Sequence, residues 1–176
     1  QSLLNPDENA NVRQVVAQAV AEMGDTGWLE FLEQQFPVEK SAQVRQGMIL
    51  AFDRLGAEPD VFLNLLGEKN AKVKTLALKA LSRRGLKEEQ KGLLVPMLDD
   101  KHKDVRAAAA ECIGIQHYED AISNLCALTD QEAEKEKVVR RACLKALQQL
   151  VHTDEQLEET WPFLEKVWDE DEDHLV

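Results

Sequence analysis

Five basic residues, Arg13, Arg45, Lys74, Arg106 and Arg140, each follow a valine directly in this 176-residue chain. An acid, Asp7, Glu39, Glu68, Asp100 or Glu134, stands six residues before each of them. Cations in such a column suit two kinds of chemistry. They can neutralise successive phosphates of a nucleic acid, or they can pair with the acids and tie neighbouring segments together. Because an acid accompanies every base, pairing is the expected use, and the ten residues form a candidate structural ladder. What remains for nucleic acid is a local basic patch, Lys72, Lys74, Lys79, Arg83 and Arg84.

Other reactive side chains are poorly arranged for catalysis. The histidines, His102, His117, His152 and His174, form neither an HxH nor an HExxH spacing, the arrangements that place two imidazoles on one metal. No glycine-rich phosphate loop is present, so no cofactor is expected. Cys112, Cys126 and Cys143 are odd in number and lack a CxxC pair. Each falls on an apolar helical position, which predicts reduced core thiols and favours a reducing, cytoplasmic setting.

The elements that must position these residues follow from the valines. Val12, Val44, Val73, Val105 and Val139 are spaced by 32, 29, 32 and 34 residues, a period that marks stacked helical repeats. Counting each valine as zero, position four is Val16, Met48, Ala77, Ala109 and Cys143. Position seven is Ala19, Ala51, Ala80, Cys112 and Ala146, and position eight is Val20, Phe52, Leu81, Ile113 and Leu147. Apolar residues at zero, four, seven and eight describe one buried helix face.

Asn9, Ser41 and Asn70 precede their valines by three and are expected N-caps. His102 and Glu136 stand there in copies four and five, which predicts different helix starts. Gly24, Gly56 and Gly85, at position twelve, predict left-handed C-terminal caps; copy four has Gln116 and His117 at positions eleven and twelve instead. Shorter apolar helices are expected between copies, at 28–36, 61–66, 93–98 and 121–128, with a last one at 157–168. Pro37 ends the first of them, and Pro96 is expected to kink the third. The polar run Gln131–Lys137 predicts an extension of the fifth long helix by propensity.

This combination of a recurring acid, a valine-base pair and small-apolar pairs resembles the HEAT repeat family over 3–150. The period is most similar to its short bacterial branch, which includes phycobilisome lyase-type chains. The resemblance implies an all-α, right-handed solenoid of about five helical hairpins, with the long helices on the inner wall. It also implies three possible uses: a non-catalytic protein-binding scaffold, a nucleic-acid-binding repeat protein, or a bilin lyase-like subunit. The expected organisation is a repeat array at 1–152, a capping helix at 153–168 and an acidic tail at 169–176. Leu3 and Leu4 read like the end of a helix already begun, so the sequence is expected to start inside a repeat of a longer protein.

The net charge of −12 is concentrated at one end, since 153–176 holds ten acids and one base and contributes −9. The array is therefore nearly neutral. No run reaches the length of a membrane span. In the last helix Leu157, Trp161, Leu164 and Trp168 share one side, which is expected to turn inward and cap the array. The expected partner is another protein, met by positions two and six of the long helices: Gln14, Gln18, Gln46, Leu50, Thr75, Lys79, Glu111, Arg141 and Lys145.

Overall fold

A computed structural model describes residues 9–170, with side chains described through residue 167. The chain divides into two compact units, 1–80 and 81–176. Asp7, Leu3, Leu4, His174 and the acidic tail from residue 171 lie outside what is described, and of Trp168, Asp169 and Glu170 only the helical backbone is described. Among the described residues every regular element is helical.

The first unit contains α1 (Ala10–Met23), a 3-10 turn at Thr26–Trp28, α2 (Leu29–Gln35), α3 (Ala42–Arg54), α4 (Pro59–Leu65) and most of α5 (Ala71–Leu81). The second contains α6 (Glu88–Lys91), a 3-10 stretch Gly92–Asp99, α7 (Lys103–Ile115) and a 3-10 turn at Glu119–Ala121. It continues with α8 (Ile122–Ala127), α9 (Lys137–Leu150) and α10 (Asp154–Glu170). Successive long helices pack on one another, α1 on α3 and α7 on α9, and the preceding short segments cover α3 and α7.

The apolar register accounts for the core. In copies two to five, positions zero, four, seven and eight are all buried, from Val44, Met48, Ala51 and Phe52 through Val139, Cys143, Ala146 and Leu147. Copy one departs: Val12 is 48% exposed and Ala19 is exposed too. The three cysteines are free and buried. Burial pushes the Cys112 thiol up to about 11 and the Cys143 thiol up to about 12, so both are inert apolar filling.

The long helices keep one starting register. Asn9 Oδ1 accepts the Asn11 N–H, Ser41 Oγ the Val44 N–H, and Asn70 Oδ1 those of Lys72 and Val73. Contrary to expectation, α7 and α9 begin at the same place, with His102 and Glu136 as N-caps that make no side-chain capping bond. The acid two residues upstream compensates by ordering the turn: Asp100 Oδ1 accepts the His102 N–H and Glu134 Oε1 the Glu136 N–H. Glu39 Oε1 does the same for Ser41.

At the C-terminal ends, Gly24 (φ 68°) and Gly56 (φ 76°) are left-handed, where a Cβ would be strained. Gly85 is not, because α5 has already ended at Leu81. His117 (φ 50°) occupies the left-handed position in copy four.

Three sequence expectations fail for local reasons. Pro96 does not kink an α-helix; its missing N–H and its ring favour tighter turns, and 92–99 runs as 3-10. Residues 131–136 do not extend α9, which starts at Lys137. They turn back, with the Glu134 N–H donating to Asp130 O, and carry the Glu134 side chain inward. In α10 the Leu157–Trp161 stripe faces solvent, Trp161 being 54% exposed, while the fully buried Thr160 lies on the side that meets α8. Pro162 sits inside α10.

Candidate functional site

Three bases of the column, Arg13, Arg45 and Arg106, reach forward to the acid of the following copy. Arg13 grips Glu39 with two bonds, Nε to Oε2 at 2.8 Å and Nη2 to Oε1 at 3.0 Å. Arg106 holds Glu134 in the same bidentate way at 2.6 and 2.9 Å, and Arg45 Nη2 lies 2.5 Å from Glu68 Oε1. The bases also reach back within their own copy. Arg106 Nη1 donates to Asp100 O and Arg140 Nη1 to Glu134 O, at 2.8 and 3.0 Å.

One carboxylate thus orders the turn before its own helix and receives the guanidinium of the helix before it. Planar forks fit this geometry better than an ammonium. Among the described residues Arg45 Nε has no hydrogen-bond acceptor, and its guanidinium carbon lies 4.3 Å from the Phe36 ring centroid, a favourable cation–π position.

The electrostatics agree with the geometry. Arg13, by hydrogen bonding, holds the Glu39 carboxyl below the usual range against the opposing effect of burial. For Glu134, burial is the largest influence and pushes the carboxyl up. The Arg106 bonds, the Glu136 N–H and the charges of Arg106 and Arg140 outweigh it, leaving the group below its ordinary value. Lys74 is half-buried in the first unit, and Asp100 belongs to the second.

Of the sequence-derived contact strip, position six is exposed throughout: Gln18, Leu50, Lys79, Glu111 and Lys145. Position two turns towards neighbouring helices. Gln14 and Gln46 are half-buried, and the Gln14 amide oxygen accepts from Gln43 Nε2. Thr75 is only 7% exposed, with its hydroxyl spent on Ala71 O at 2.8 Å, so it is not available as a contact residue. Arg141 alone at position two is exposed.

Gln14, Gln18, Gln46, Leu50 and Lys79 belong to the first unit; Glu111, Arg141 and Lys145 belong to the second. Leu50 is 44% exposed. Sequence reasoning missed the exposed Val15, Ile115 and Val138, which lie on the same long helices at positions three, ten and minus one. Their apolar character alone reads as core. In the basic patch, Lys72 and Lys79 are exposed in the first unit, and Arg83 is exposed with Arg84 half-buried in the second.

Among the described residues no group of three or more His, Cys, Asp or Glu is placed to hold a metal ion. No described helix is long and apolar enough to cross a membrane.

Comparison with known proteins extends the fold assignment. A search of curated protein sequences finds no match. Among solved structures, the chain is similar to an engineered protein at 13% identity and a TM-score of 0.63, covering 96% of this chain and 87% of that one. It is also similar to a designed armadillo repeat protein at 18% identity and a TM-score of 0.63, covering 97% and 91%. At such identities the likeness is one of fold, an all-helical repeat of the solenoid class. A family model described as HEAT repeats matches residues 57–147 and 92–176. With more than half of its length matched by that model, this chain belongs to the HEAT repeat family.

Proposed function

We propose that this chain is a non-catalytic protein-binding scaffold whose contact surface is the exposed face of its long helices. The supporting observation is the division of labour along those helices. Positions zero, four, seven and eight are consumed by the core in four of the five copies, and position one is engaged by acids or carbonyls in Arg13, Arg45, Arg106 and Arg140. Position six is left to solvent in every copy with mixed chemistry: amide, leucine, base, acid and base. A half-exposed leucine among polar neighbours suits a protein partner, where an apolar anchor is surrounded by polar contacts that exclude water.

In this reading the ladder is structural, and the surface residues that matter are Gln18, Leu50 and Lys79 in the first unit and Glu111, Arg141 and Lys145 in the second. The test compares the intact chain with L50D/K79E as bait in nuclease-treated host lysate, with quantitative mass spectrometry of what is retained. Support is a protein held by the parent and lost by the variant at unchanged melting temperature. Retention equal in both, or a large drop in melting temperature, removes the assignment.

A further inference from the structure

The packing of α10 on α8 leaves a second surface, separate from the long-helix face. Two polar clasps join α10 to the segments that flank α8: Gln156 Nε2 donates to Glu119 Oε2 at 2.9 Å, and Lys166 Nζ to Asp130 Oδ2 at 2.6 Å. The clasps stand about 15 Å apart along α10 at 1.5 Å per residue. Between them the buried contact residue is the small Thr160, whose hydroxyl is spent on Gln156 O and Leu157 O.

A groove of about 360 Å³ results, with Ile122, Cys126 and Phe163 as its apolar members and Glu119, Asp120 and Glu159 as its charged ones. None of its lining residues is basic. The single lysine of α10, Lys166, is already paired with Asp130. Trp161, half-exposed on the same helix, presents a ring that attracts cations.

We propose that the α8–α10 groove docks a lysine- or arginine-rich protein segment carrying one large apolar side chain. The apolar residue enters between Ile122 and Phe163, and the cations meet Glu119, Asp120 and Glu159. Charge selects this occupant: an anionic membrane or a nucleic acid is repelled by the same acids. The proposal does not rest on the long-helix surface, and L50D/K79E separates the two.

The probe is a fluorescein-labelled amphipathic peptide of lysine and leucine, titrated with the intact chain and read by anisotropy. Companion peptides replace lysine by glutamate or leucine by serine. Binding is expected to weaken at least tenfold in D120K/E159K and in the serine peptide, to vanish in the glutamate peptide, and to be unchanged in L50D/K79E. Three results overturn the proposal. The first is equal affinity for the leucine and serine peptides, which is charge attraction without a groove. The second is undiminished binding by D120K/E159K, which moves the interaction to the acids from Asp169 onward. The third is a concentration-dependent dimer in sedimentation that D120K/E159K abolishes, which makes a second copy the occupant.

Discussion

Replacing Gln116 by leucine sets sequence and structure against each other in sign. Position eleven of the repeat is Met23, Leu55 and Leu150 in three other copies, so by pattern Gln116→Leu repairs a fault and adds about 1–2 kcal/mol of apolar burial. The structure gives the opposite answer. Gln116 is buried, and its amide bridges back to the end of α5: Nε2 donates to Leu81 O at 2.7 Å and to Arg84 O at 2.6 Å. Its Oε1 accepts the Leu86 N–H at 3.1 Å. Leucine leaves the Leu86 N–H unsatisfied in a buried place, at about 1–3 kcal/mol, and forfeits two further bonds at about 1 kcal/mol each.

Leu81 O keeps the Arg84 N–H at 3.0 Å, so its loss is at the low end. With the apolar gain subtracted, Gln116→Leu is expected to destabilise by about 2 kcal/mol. For a chain of this size that is a fall of roughly 4–8 °C in melting temperature. Urea unfolding followed by far-UV circular dichroism measures it. A variant as stable as the parent, or more stable, refutes the claim that this glutamine is the C-terminal clamp of the preceding long helix.

The ladder predicts an acid limb. Glu134 is held below its ordinary range in the folded chain, so its contribution is fully present above the unfolded value of about 4.3 and is lost as pH falls through the lower folded value. Glu134→Gln is expected to cost about 2 kcal/mol at neutral pH, as the Arg106 bonds lose their charge, and to flatten the stability decline below that pH; an unaltered acid limb in urea titrations argues against it. Two glycines give opposite expectations on substitution by alanine. A Cβ at Gly114 meets the Ala146 Cα at 2.8 Å and its Cβ at 3.0 Å, so Gly114→Ala is expected to lose about 1–3 kcal/mol by overpacking. At Gly47 the nearest atoms are 3.5 Å away or more, so Gly47→Ala is expected to gain up to about 1 kcal/mol of helix propensity. Melting temperatures that move the same way in both variants contradict this packing.

Much of the fold was legible because a helical repeat writes its contacts locally. The valine at position zero and the small residue at seven recur with the helical period, and four copies bury them as that period requires. The acid was legible as a partner for a base at Glu39, Glu68 and Glu134, since both positions repeat in step. Its second task, accepting the N–H two residues on, was hidden because Glu39, Asp100 and Glu134 show only their charge in sequence. Exposure was less readable. Thr75 and Lys79 look equally polar, yet one side chain bonds to its own helix backbone and the other faces water, because rotation about the helix axis decides which meets a neighbour.

The sequence alone determined the repeat, the helix starts capped by Asn9, Ser41 and Asn70, and the core register of copies two to five, all set by interactions within one or two turns. Tertiary packing decided the rest. It turned 131–136 back so that Glu134 meets Arg106, made Gln116 a clamp on α5, and placed Thr160 of α10 against α8 with Leu157 and Trp161 turned outward. Each of these depends on which surface another segment covers, and residues far apart in the chain settle that only once they are packed together.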